Sequence, residues 1–116
     1  MRNRAGFSLV ETLVALVLFQ FAMLALAAGA AVAARDLAAA RRIAVAHEMA
    51  RNRVEQLAAV ACPTPGAGTS ETNGFIEHWR VERGERSRAI SDSIAFPRPN
   101  GKVGMSVARA TVLCAP

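Results

Sequence analysis

Gly6-Phe7-Ser8-Leu9-Val10-Glu11-Thr12-Leu13-Val14-Ala15-Leu16 opens an apolar run in which one carboxylate stands alone. From Leu13 to Ala34 there are 22 residues, and only Gln20 is conventionally polar. That is long enough to cross a bilayer as a helix. A carboxylate at the centre of such a span costs about 2.5–3.5 kcal/mol on insertion scales, so Glu11 reads as a functional residue that needs a partner.

Ahead of this run lies a short basic leader, Met1 to Gly6, carrying Arg2 and Arg4. It ends in a small residue and is followed by an aromatic, a Ser, two aliphatics and the Glu. This order resembles the N-terminal signature of type IV prepilins and of the pseudopilins of type II secretion. The resemblance is specific over about residues 5–20, and past Ala61 it is one of layout. It implies that prepilin peptidase, a membrane aspartyl peptidase, cuts between Gly6 and Phe7 and methylates the new N-terminus at Phe7. It implies further that Glu11, then the fifth mature residue, neutralises the terminal ammonium of a neighbouring subunit in a filament. The partners so implied are the peptidase, other pilin or pseudopilin subunits, and the inner membrane with its assembly platform.

Two plainer readings compete. The run fits a signal anchor with a stray Glu. It also fits a secretory signal, because Ala28-Gly29-Ala30 and Ala31-Val32-Ala33 match the A-x-A pattern. Cleavage after Ala33 or Ala34 would then release a soluble periplasmic module. Against the second reading, the apolar stretch exceeds the usual 7–15-residue core of a signal peptide.

The 116 residues allow one small domain plus a membrane segment. Without residues 1–34, 82 remain, near the size where a hydrophobic core alone is marginal. The formal charge is +5, and removal of Arg2 and Arg4 leaves +3. Thirteen of the fourteen basic residues are Arg, with both signs interspersed, which argues against a nucleic-acid stripe. Arg80, Arg83, Arg86 and Arg88 form the one basic cluster. Interleaved Glu82 and Glu85 favour a solvated hairpin over a phosphate contact, and a DNA-uptake pilin stays as the alternative. Arg2 and Arg4 favour a cytoplasmic N-terminus, whereas Arg35, Arg41 and Arg42 crowd the other end of the span. The prepilin-like leader implies a cytoplasmic N-terminus and a periplasmic C-terminal domain.

Cys62 and Cys114 both lie outside the span. In an oxidising periplasm such a pair commonly forms a disulfide, the alternative being two buried thiols. His47, Cys62, His78 and Cys114 lack paired zinc-ligand spacing, so no metal is expected. The chain has no Gly-rich phosphate loop and no His-Glu-x-x-His, so neither a cofactor nor an enzyme is expected.

Residues 7–61 predict one long helix, since Pro and turn clusters are absent and Ala abounds. Residues 7–34 are apolar all round. Residues 35–61 turn amphipathic, with a stripe at Ala40, Ile43, His47, Ala50, Val54, Leu57 and Ala61. Pro63 and Pro65 end the helix, and a loop runs to Asn73-Gly74. The period then changes to 2. Phe75, Trp79 and Val81 share one face, with Glu77 as an exception. Ile90, Ile94 and Phe96 share another, with Asp92 as an exception. Val103, Met105 and Val107 begin a third run. The predicted fold is α+β and pilin-like: a long helix, transmembrane then amphipathic, packed on a small antiparallel sheet of about three strands in residues 62–116. The short β-domain with Trp79 in its first strand looks like minor pilins of the V type or minor pseudopilins of the I type.

Overall fold

Ser8 starts the helix. Its hydroxyl accepts a hydrogen bond from the Glu11 N–H at 3.2 Å, and its carbonyl accepts one from the Thr12 N–H at 3.2 Å. A Ser side chain satisfying an otherwise orphaned first-turn N–H is the N-cap arrangement. The structure, a computed structural model, describes residue 6 and residues 8–115. Helix α1 runs Leu9–Ala58. By its internal contacts the chain divides into two units, residues 1–36 and 37–116.

The helix stops at Ala58, short of the expected Ala61. A residue before proline is pushed out of the α region by the pyrrolidine ring, and Cys62, which precedes Pro63, takes φ +52°. Four antiparallel strands follow in a meander: β1 (Gly66–Thr72), β2 (Phe75–Arg83), β3 (Ser87–Pro97) and β4 (Val103–Leu113), in that spatial order. About three strands were expected. The extra one is β1, Gly66-Ala67-Gly68-Thr69-Ser70-Glu71-Thr72, which has no apolar alternation to announce it. Asn73-Gly74, expected to close a loop, is the two-residue turn joining β1 to β2. Both residues have positive φ (51° and 82°), as a hairpin turn matching the twist of its strands demands.

Cross-strand partners share a face, so the register sorts the side chains. Gly68 pairs with Trp79, Trp79 with Asp92, and Asp92 with Ala108. The helix-facing side is therefore small on the two outer strands and large on the two central ones. A Cβ at Gly68 would overlap the Trp79 indole, and one at Gly104 would come within 2.6 Å of the Phe96 ring. The core forms two clusters. Ala46 and Ala50 pack with Ile94 and Phe96, and Val54 packs with Val81 and Ile90.

The buried stripe of the helix is Ala46, Ala50 and Val54, with Met49, Arg53, Leu57 and Ala58 half-buried beside it. Of the expected stripe, Ala50, Val54 and Leu57 hold. Ala40, Ile43 and His47 are exposed. In an Ala-rich helix small apolar residues occur on every side, so periodicity leaves the phase of the packed face open. The expected third run is β4, which begins at Val103. Val103, Met105 and Val107 point away from the helix and are exposed, because Phe96 occupies the space over Gly104 and the helix side of β4 must stay small.

The two exceptions to alternation both face the helix. Glu77 is 5% exposed and Asp92 is fully buried. Arg53 comes down from the helix and donates to both Glu77 carboxylate oxygens, from Nε at 2.9 Å and from Nη2 at 3.1 Å. Its guanidinium lies over the Trp79 ring, 4.6 Å from the centroid. Arg42 also ties the helix to the sheet by donating to the Pro97 carbonyl at 3.0 Å.

Cys62 and Cys114 are joined in a disulfide, with Cα atoms 4.9 Å apart and 52 positions apart in sequence. The bond links the chain just past the helix to the end of β4. Arg88 secures the same corner by donating to the Pro63 carbonyl at 3.2 Å. Replacing both cysteines by Ser is expected to remove about 4 kcal/mol of unfolding free energy on the chain-entropy model. Urea unfolding of the full chain, followed by Trp79 fluorescence, measures this, and an unchanged midpoint would refute it. Gly68→Val is expected to displace the indole, shift Trp79 emission to the red and remove about 1–3 kcal/mol by overpacking. Thr69→Val, one residue along on the outward face, should leave the emission unchanged.

Candidate functional site

The first turn of the helix carries the candidate site. Gly6 is exposed, just before the Ser8 cap. Phe7, on which the expected cleavage and methylation fall, lies outside the described residues, as do Arg2 and Arg4. Glu11 is exposed in the first turn. The spacing Ser8-x-x-Glu11 is that of a capping box, a signal legible in the sequence beside the membrane reading. A carboxylate there also meets the positive end of the helix dipole, an interaction of about 0.3–1 kcal/mol. Among the described residues no cation pairs with Glu11. Its local surroundings therefore explain its tolerance in the helix and leave its charge available.

Every residue from Ser8 to Ala38 is exposed. Leu9 is 77% exposed, Phe21 67% and Leu26 69%. The helix is long and apolar enough to cross a membrane, and none of its most apolar window is buried against the rest of the chain. A helix apolar on all sides is stable against lipid or against other helices, with its backbone hydrogen bonds satisfied internally. Large continuous apolar surfaces of this kind mark membrane or protein contact.

The remaining sequence candidates are placed as follows. Cys62 and Cys114 are brought together and held covalently. The basic cluster is divided: Arg80 lies on the outward face beside Glu82 (3.5 Å), while Arg88 is half-buried on the helix side and bound to Pro63. A single arginine surface for phosphate is not formed. His47 is exposed on the helix. Sequence reasoning missed Arg53, although its spacing of three from Ala50 and four from Leu57 puts it on their face. Glu77 and Asp92 were visible only as breaks in an alternating pattern. What the first turn can do is associative: a large apolar surface with one carboxylate at its start.

Comparison with known proteins bears on this same segment. No curated protein and no solved structure matches the chain. Residues 1–34 match the family described as "Prokaryotic N-terminal methylation motif". The motif covers the leader, Glu11 and the exposed apolar helix, and it makes the N-terminal segment of this chain prepilin-like.

Proposed function

We propose that the chain is a minor pilin-like subunit, cut by prepilin peptidase between Gly6 and Phe7 and N-methylated at Phe7. Residues 13–34 then hold it in the bacterial inner membrane, with the N-terminus cytoplasmic and the β-domain periplasmic. An assembly platform draws it into a type IV pilus or a type II secretion pseudopilus. The observation that carries this reading is the exposed, all-round apolar helix whose first turn carries an exposed Glu11 inside a methylation motif.

The energetics give Glu11 its part. In lipid an unpaired carboxylate is penalised, and a neighbour's Phe7 ammonium removes the penalty while favouring one axial offset between subunits. Apolar helices of neighbouring subunits cover one another, and the β-domain stays outside. Trp79 lies in the second strand and not, as expected, in the first, so the small sheet alone favours a minor subunit over a major one, with protein export or pilus assembly as the setting.

A second reading draws on the division of the chain at Asp36. Residues 37–116 carry both core clusters, as a module released by signal peptidase after Ala33 or Ala34 would require. The division of the arginines across two faces weighs against a DNA-uptake role.

The intact mass and N-terminal peptide of the protein from native membranes decide between these. A chain beginning at methylated Phe7 is expected; one beginning near Arg35 makes it a soluble module. Glu11→Ala is expected to leave membrane insertion and cleavage intact and to abolish filament incorporation, measured by shearing and immunoblotting the filament fraction. Normal incorporation of that variant would sink the role given to Glu11.

A further inference from the structure

Asp92 is the least expected residue in the domain. It lies on β3 between Trp79 of β2 and Ala108 of β4, facing the helix, fully buried. Neither of its carboxylate oxygens has a hydrogen-bond partner. Glu77, its neighbour on β2, is 5% exposed and has both oxygens occupied by Arg53. The charges on this face can be counted by element. Arg53 comes from the helix, Glu77 and Arg83 from β2, and Arg88, paired with Arg83 at the far end of the strands, stands four residues from Asp92 on β3, turned to Pro63. On this face β1 and β4 present only Gly68, Ser70, Ser106 and Ala108 to the pair. One guanidinium thus faces two buried carboxyls. With both ionised, the site holds an uncompensated negative charge, which a packed interior disfavours strongly.

One added proton resolves this. Two carboxylates have no hydrogen to share. A carboxyl beside a carboxylate donates to it, and the pair then carries a single charge that matches Arg53. We propose that Asp92 and Glu77 form a proton-binding site at the helix–sheet interface, and that the helix grips the sheet most firmly while that proton is held. Loss of the proton as the medium turns alkaline leaves Asp92 charged against Trp79 and Ala108 and weakens the grip.

The electrostatics run the same way. Burial, then the charge of Glu77, pushes the Asp92 carboxyl up from 3.8 to about 7, with the Arg53 charge offsetting part of the rise. The Arg53 hydrogen bonds hold Glu77 below its ordinary value. Asp92 is thus the group that keeps the proton, roughly a thousand-fold more tightly in the fold than in the unfolded chain. The folded state then binds more protons than the unfolded state between about pH 4 and 7. Stability from this site falls as pH rises through that window and is level above it. The Glu77 contribution is lost only as pH falls through its own lowered value, below this range.

Trp79 is the only Trp and sits beside the pair, so its emission reports on it. In the full chain in detergent, Trp79 emission is expected to titrate near pH 7, and the thermal midpoint to fall from pH 5 to pH 8. Asp92→Asn should abolish the titration, flatten the midpoint and raise it at pH 8. A titration that persists in Asp92→Asn would overturn the proposal. Infrared spectra of the unmodified chain give a test that needs no variant. A protonated-carboxyl band present at pH 6 and gone at pH 9 is expected, and its absence at pH 6 would overturn the site.

Discussion

Arg53 reaches from the helix into the sheet and meets Glu77 and the Trp79 ring together. Most of the domain's arrangement follows from seating that one guanidinium. Its fork geometry matches a carboxylate in two parallel hydrogen bonds, a match that a lysine cannot make. Its flat face suits the indole. For the ring to lie there, the strand beyond it must carry no side chain, and Gly68 supplies that. On the helix, Ala46 and Ala50 pack against Ile94 and Phe96. A polar contact therefore governs where a small residue stands on the sheet.

The same contact orders the buried charges. An arginine paired with a single carboxylate would be balanced. The second carboxyl, Asp92, sits where an aliphatic residue would continue the line of Ile90, Ile94 and Phe96. Replacing a buried ionic group by an apolar one is commonly neutral or stabilising, so its presence is not explained by stability alone. A proton-holding role gives it a purpose that packing does not.

Stability of the domain rests on local devices more than on core volume. The largest fully buried side chains are Ile90, Ile94 and Asp92. The disulfide and the Arg88 bond to Pro63 close one corner, and Arg42 on Pro97 holds another. The described residues of the apolar helix ahead of it are exposed. Its surface is reserved for another environment, which is what a prepilin-type motif leads one to look for.

The sequence by itself determined the elements whose cause is local. An unbroken apolar run and abundant Ala make the helix, Pro63 stops it, and alternation in β2 and β3 makes strands. The disulfide partners were legible because the chain has only two cysteines. Tertiary structure alone decided what depends on residues far apart. The strand β1 forms because its edge pairs with β2 and its glycines leave room for Trp79, and no pattern of its own records either fact. The phase of the helix stripe was set by where Ile94 and Phe96 stand, since alanines on several sides satisfy the periodicity equally well. Glu77 and Asp92 appeared in the sequence as faults in an apolar face. Only the sheet register, bringing them side by side beneath a cation from a helix 24 positions away in sequence from Glu77, makes them a site.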